Sequence, residues 1–305
     1  MENNIIVIVG QTAVGKTDIS IKLAKLLNGE IINGDAMQVY KGLDILTAKV
    51  KEEEKEGVIH HLLSFKNIED NYSVEEYQSL VREKIEDILK RNKTPILVGG
   101  TGLYIKAALY DYQFEKEDQE KINCIEKKYQ NLDNLSLFEE LKKIDPESCK
   151  ILHPNNRRRV LRALVIYNLH GQSKSNLIEK QAHKPLYNCK FIGLYLPKDQ
   201  LNQRINTRVE KMFDNGIIEE VKKLNGLSST ASKAIGVPEI KNYLNNKINL
   251  NECKELIKLH TRQYSKRQMT WLKHQFNVKW FEISDNTLIE IYNYLKGEDF
   301  LCGKK

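Results

Sequence analysis

One octapeptide constrains this chain more than any other stretch. Gly10–Thr17, GQTAVGKT, fits the full pattern GxxxxGK[ST] in the context that pattern requires. The apolar run Ile5–Val9 reads as a strand ahead of it, and the amphipathic segment 18–27 reads as a helix behind it. Such a loop is a cradle for phosphate. Gly10 and Gly15 let the backbone turn tightly, so that the amides through Gln11, Thr12, Ala13 and Val14 meet anionic oxygens, and the helix opening near Lys16 adds the positive end of its dipole. Lys16 supplies a mobile cation, and the Thr17 hydroxyl is placed to hold a Mg²⁺ that bridges phosphates. The expected ligand carries two or more phosphates.

The rest of the chain reads as layers around that cradle. Glu30–Asn33 forms a second strand that delivers Gly34 and Asp35, and Pro95–Val98 a third that ends in Gly99, Gly100, Thr101 and Gly102. Further strands are expected at Phe191–Leu196 and Val278–Ile283. Helical spacing fills the intervals, opening at Ser73 with Glu76 as a capping box. Strands separated by helices imply an α/β fold, a P-loop NTPase-like, mainly parallel sheet wound with helices. From Glu115 to His183 the composition shifts to mixed charge with helical periodicity, punctuated by a capping box at Ser136 and Glu139 and by the Asp145–Pro146 pair. Residues 1–114 and 190–305 are therefore expected to form the catalytic core and 115–189 a helical insertion. The final three residues, Gly303–Lys305, are expected to fray.

Several classes drop out. Five cysteines lie scattered with no CxxC pair, which argues against a zinc site or a disulfide framework. His60 and His61 are adjacent, so on a strand their side chains point to opposite faces, and no third ligand lies at a metal spacing. The apolar run at the start is too short for a signal peptide, and no stretch approaches the roughly 20 apolar residues of a membrane span. A cytoplasmic protein with no membrane contact is expected. The net charge of +7 is compatible with nucleic acid without demanding it.

Proteins with this loop usually place an acid at the end of a core strand to hold the metal. The strand Pro95–Val98 has none, and Asp35 is the nearest acid leaving a strand. It can serve as an outer metal ligand, as a general base, or simply as a turn residue after Gly34. Two basic stretches bear on the partner. In HPNNRRRVLRAL, residues 153–164, Arg158, Arg159 and Arg162 cluster on a helix capped by Asn155 or Asn156, fit either to close over phosphates or to grip an RNA backbone. Leu256–Phe281 contains no Asp or Glu. There Lys258, Arg262 and Lys266 recur at i,i+4 with Lys273 beyond, interleaved with Tyr264, Trp271, His274 and Phe276, a pattern that suits phosphates and unpaired bases.

These blocks, together with GDAMQVYKGLDILTAK (34–49), IHHLL (59–63), PILVGGTGLYIKAAL (95–109) and TRQYSKRQMTWLK (261–273), resemble the bacterial tRNA dimethylallyltransferases in family order over nearly the whole chain. The resemblance implies transfer of a dimethylallyl group from dimethylallyl diphosphate to the exocyclic amine of the adenine 3′ of the anticodon, with Mg²⁺ as cofactor. The loop Gly10–Thr17 would then hold a departing diphosphate. The resemblance makes Asp35 the base for the amine and Thr101 a polar substrate contact, with Lys16 stabilising charge on the leaving group. Asp35, Ala36, Met37 and Gln38 would line the pocket for a flipped base. Arg158, Arg159 and Arg162, with Arg262, Lys266 and Arg267, would grip the anticodon stem-loop. A monomer is expected. The sequence departs from the family at Gln11 (usually proline), Ala36 (serine), Leu46 (glycine), Val50 (proline) and Val237–Pro238, none of which removes a phosphate ligand or the base. A P-loop small-molecule kinase, a nucleotide-gated RNA-binding protein and an adenine-nucleotide prenyltransferase are the rivals; the kinase gives the acid-free stretch no task, the nucleotide prenyltransferase has little use for it, and the RNA-binding protein gives Asp35 none and would leave bound tRNA unchanged.

Overall fold

The strand Asn4–Gly10 (β1) carries apolar side chains on both faces and lies in the middle of a six-stranded sheet. In this computed structural model, residues 4–114, 118–173, 175–176 and 184–297 are described. The expected insertion therefore has segments outside the described residues, as do Gly303–Lys305. After β1 come α1 (Lys16–Leu26), β2 (Gly29–Gly34), β3 (His60–His61), α2 (Val74–Lys90), β4 (Thr94–Gly99) and α3 (Gly102–Leu109). Four helices follow: α4 (Gln119–Tyr129), α5 (Asn134–Ile144), α6 (Pro146–Ile151) and α7 (Arg157–His170). The chain returns through β5 (Asn188–Tyr195), α8 (Lys198–Asp214), α9 (Ile217–Lys222), α10 (Val237–Leu244), α11 (Leu250–Gln275), β6 (Lys279–Glu282) and α12 (Thr287–Gly297).

The sheet order is β3-β2-β4-β1-β5-β6, and every paired ladder is parallel. Because β1 sits between β4 and β5, the chain's first crossover and its last ones leave in opposite directions, and the crevice beyond its carboxyl end is where such sheets take ligands. Side-chain alternation along β1 builds a core on each face. Ile6 and Ile8 pack with Ile19 and Leu23 of α1 and with Ile291 and Leu295 of α12. Ile5, Val7 and Val9 join the other core with Val81 of α2, Ile105 of α3 and Leu272 of α11. At the opposite end of the strands from the glycine loop, the Glu30 carboxylate, 1% exposed, takes Arg91, Lys93 at 2.8 Å and His61 at 2.7 Å. This charge cluster ties the start of β2 to β3 and to the turn before β4.

The chain builds two compact units, Met1–Tyr110 with Pro185–Lys305, and Asp111–Lys184. The division falls at 110/111 and 184/185 rather than after 114 and 189, where Tyr110 and Pro185 pair as an isolated antiparallel bridge. The smaller unit has its own core of Tyr129, Leu137, Leu141, Val160, Ala163 and Leu164. Its local signals need correction. Helix α5 begins at Asn134 under Asp133, whose side chain accepts from the Ser136 amide, so no capping box stands at Ser136 and Glu139. Asn156 occupies the cap position of α7 without a side-chain cap bond. Ser73 does cap α2, but Glu76 pairs with Lys66 instead of reaching back.

Candidate active site

The glycine loop leaves β1 and turns into α1 at Gly15, whose φ of 109° excludes an ordinary side chain at low cost. Ala13 also takes a left-handed φ of 63°, a conformation that costs an alanine about 1–2 kcal/mol and that curls successive amides into a nest. No side chain caps α1, so its first-turn amides are left for a ligand. Lys16 folds back over the loop, its ammonium donating to the carbonyls of Gly10 (3.0 Å) and Gln11 (2.8 Å). Burial lowers its pKa to about 8, against the pull of Asp35, and Arg208 pushes in the same direction as burial. Thr17 is exposed and lines the cavity above the loop.

That cavity has a volume of about 580 Å³ and is walled wholly by the larger unit. Asp35 faces it from the end of β2, held in an Asx turn: its Oδ1 accepts the Met37 amide at 2.8 Å, and its own amide donates to Asn33 Oδ1 at 2.9 Å. The turn reading and the chemical reading of Asp35 are thus compatible, because Oδ2 has no partner among the described residues. Thr101 joins the same corner, where its hydroxyl accepts the Ala36 amide at 3.4 Å and meets the phenol of Tyr264, which burial pushes up to about 12. Ala36, Met37 and Gln38 line the wall beside it. Leu46, Met212, Ile217, Ile235 and Ile257 add apolar surface to the lining. The cavity therefore combines amides and cations with a greasy surface.

Two contributors were not singled out by the sequence. Arg204 and Arg208 stand one turn apart on α8 and reach the phosphate loop, Arg204 donating to the Val14 carbonyl at 3.1 Å and Arg208 to Thr12 Oγ1 at 3.3 Å. Burial lowers the Arg208 pKa from its ordinary value, opposed by Asp35. Their i,i+4 spacing after Asp199 was the available signal, but it is also the spacing of a solvated helix face. Helix α11 supplies the other. Gln268 accepts the Thr12 amide at 2.8 Å, so that amide is already engaged, and Gln11 donates to Ser265 Oγ at 2.8 Å.

The acid-free stretch divides by face. Trp271, half-buried, covers Gly102, and the buried Phe276 stacks on Phe191 at 4.5 Å between ring centroids, so both pack against the core. Lys258 is also spoken for, held by Glu210 at 2.6 Å and Glu255 at 2.8 Å. Arg262 donates to Asn206 at 2.7 Å. Lys266, Lys273 and His274 are exposed, and with Arg262 and Lys198 they line a groove of about 1010 Å³ on which no acid opens. Arg267 is exposed over the Tyr264 ring at 5.9 Å and lines the cavity itself. In the smaller unit Arg158, Arg159 and Arg162 are exposed on α7, while their neighbour Arg157 is structural, donating to the carbonyls of Tyr129 and Gln130 at 3.0 Å each.

His61 serves Glu30, and the ring of His60 bonds the Val58 carbonyl. Among the described residues no group of three or more His, Cys, Asp or Glu could hold a metal ion, and no helix is long and apolar enough to cross a membrane.

A family model described as IPP transferase matches residues 38–275. A tRNA dimethylallyltransferase of Anoxybacillus flavithermus is 47% identical over 306 residues, covering 98% of each chain. Among solved structures, a tRNA isopentenylpyrophosphate transferase of Staphylococcus epidermidis is 40% identical with a TM-score of 0.71, covering 97% of this chain and 99% of that one. A eukaryotic dimethylallyltransferase described as acting on tRNA is 31% identical with a TM-score of 0.83, covering 99% of this chain and 80% of that one.

Proposed function

The chain belongs to the IPP transferase family, and on that premise we propose that it transfers a dimethylallyl group from dimethylallyl diphosphate to the exocyclic amine of the adenine 3′ of the anticodon in tRNA, releasing diphosphate. The observation that carries this reading is the mixed lining of the cavity. The phosphate loop, Lys16 and Arg208 share it with Asp35 and with the apolar Leu46, Met212 and Ile217, a set that suits a diphosphate carrying a short branched hydrocarbon.

The chemistry then follows from the residues. The diphosphate lies on the loop amides between Gly10 and Thr17 other than that of Thr12, which Gln268 holds, and Lys16 and Arg208 stabilise negative charge as it builds on the leaving oxygen. Arg204 braces the loop from outside through the Val14 carbonyl. The bond from the prenyl carbon to oxygen breaks while the adenine nitrogen bonds that carbon. The proton released from the amine goes to Asp35, which lines the cavity and whose Oδ2 has no hydrogen-bond partner among the described residues. Thr101 orients this corner through the Ala36 amide. A Mg²⁺ ion fits the donor set only as one carried by substrate: Thr17 would supply a hydroxyl and the diphosphate the remaining charged ligands, and the ion would neutralise phosphate charge.

The adenine must leave its stack to reach Asp35, and a single-stranded loop lowers that cost. Lys266, Arg267 and Arg262, with Arg158, Arg159 and Arg162 of the smaller unit, would hold the stem-loop backbone. The test is mass spectrometry of nucleosides from tRNA incubated with the protein. A prenylated adenosine that requires dimethylallyl diphosphate supports the reading. An unchanged nucleoside profile, or ADP released from ATP with a metabolite as acceptor, refutes it.

A further inference from the structure

Residues 42–50 bring Leu46, Thr47 and Ala48 to the cavity, and the charge that holds this loop lies outside it. Both oxygens of the Glu220 carboxylate, on α9, are committed: Oε2 accepts the amides of Asp44 (2.9 Å) and Ile45 (2.8 Å), and Oε1 accepts that of Leu46 (2.9 Å). Three successive amides on one carboxylate form an anion nest with charge-assisted bonds, which a solvated helix charge does not make. The next residue is the junction. The Thr47 carbonyl accepts Arg208 Nη2 at 3.0 Å and Gln38 Nε2 at 3.2 Å, while its hydroxyl donates to the Leu43 carbonyl at 2.5 Å. Arg208 goes on to Thr12 of the phosphate loop, and Gln38 stands three residues beyond Asp35. A single carbonyl therefore aims one side chain at the diphosphate end and another at the base end. Ala48 follows with a left-handed φ of 44°, a conformation the loop keeps only while it is held from both sides.

We propose that Glu220 is a positioning residue for transfer: it touches neither substrate, and it sets the Thr47 carbonyl that places Arg208 on the phosphate loop and Gln38 beside Asp35. The nest also seats Leu46 against Gly236, where an added Cβ would come within 3.1 Å of the leucine. Removing the carboxylate charge lets the loop relax and misplaces both arms together.

The inference rests on the transfer reading only for its base arm; its diphosphate arm is tested without any acceptor. Inorganic diphosphate is titrated calorimetrically into the full-length wild-type protein and into Glu220→Gln, Arg208→Ala and the double variant. Glu220→Gln is expected to weaken diphosphate binding about tenfold. The double variant should bind no more weakly than Arg208→Ala alone, because both act through one contact. In tRNA assays kcat should fall by a similar factor, because Arg208 acts on charge that builds only in the transition state, and KM for tRNA should rise as Gln38 is misplaced. Diphosphate affinity within twofold of wild type, or full additivity with Arg208→Ala, overturns the proposal. Should Glu220→Gln fail to fold, Glu220→Asp, which keeps the charge but shortens its reach, takes its place under the same criteria. If diphosphate binds as expected and wild-type protein leaves tRNA unmodified, the transfer reading fails while the role of Glu220 at the diphosphate end stands.

Discussion

Two glycine turns leave neighbouring strands of the sheet, β1 and β4, at the same end, and they meet opposite fates. The turn after β1 stays open, its first-turn amides uncapped and Lys16 folded over it. The turn after β4 is occupied from within: a Cβ on Gly100 would lie 2.1 Å from Gln268 Nε2, and one on Gly102 would lie 1.9 Å from Trp271 Cε3. Helix α11 fills that space with two residues one turn apart. Glycine thus marks a close approach in both places without saying what approaches. The lysine and threonine at the head of a helix set the first turn apart from the second, which is a docking seat for the protein's own chain.

Substitutions can break this contrast in graded steps. Lys16→Ala should lower kcat for prenyl transfer about 10²–10³-fold while leaving the melting temperature within about 2 °C, since the ammonium bonds only loop carbonyls. A large fall in melting temperature would make the first turn structural too. Gly102→Ala should do the reverse, costing about 1–3 kcal/mol in denaturant unfolding as Trp271 is displaced. Combining it with Trp271→Leu should cost less than the sum of the two, and strict additivity would refute the contact.

The smallest effect is one of pH. Because the Lys16 pKa is lowered to about 8 in the free protein, inorganic diphosphate should bind about tenfold more weakly at pH 9 than at pH 7. Stability runs the other way. The unfolded chain holds the Lys16 proton up to the ordinary lysine value of 10.5 and the folded chain only to about 8, so this group adds stability as pH rises through that window. Affinity and stability moving in the same direction would assign the titration to another group.

How much was legible beforehand follows the same line. The strand–glycine turn–helix unit, the place of Asp35 at the end of β2 and the parallel sheet could be read because each rests on neighbours in sequence: a strand, a turn and a helix in immediate succession. Arg208, Glu220 and Gln268 could not, since their partners lie 196, 174–176 and 256 residues away, and nothing in a helical arginine or glutamate tells which face is inward. The acid-free stretch misled in part for the same reason. Its aromatics and cations share a helix of period 3.6, and only packing against Gly102 and Phe191 draws Trp271 partly and Phe276 fully out of solvent while Lys266 and Lys273 stay outside.

The central claim is that the open turn holds a departing diphosphate while Asp35 takes the proton from an adenine amine. Single-turnover transfer by Asp35→Asn, at saturating tRNA and dimethylallyl diphosphate, tests it most directly. The account predicts a rate about 10²–10⁴-fold below wild type with tRNA affinity retained. A wild-type rate from Asp35→Asn would contradict it.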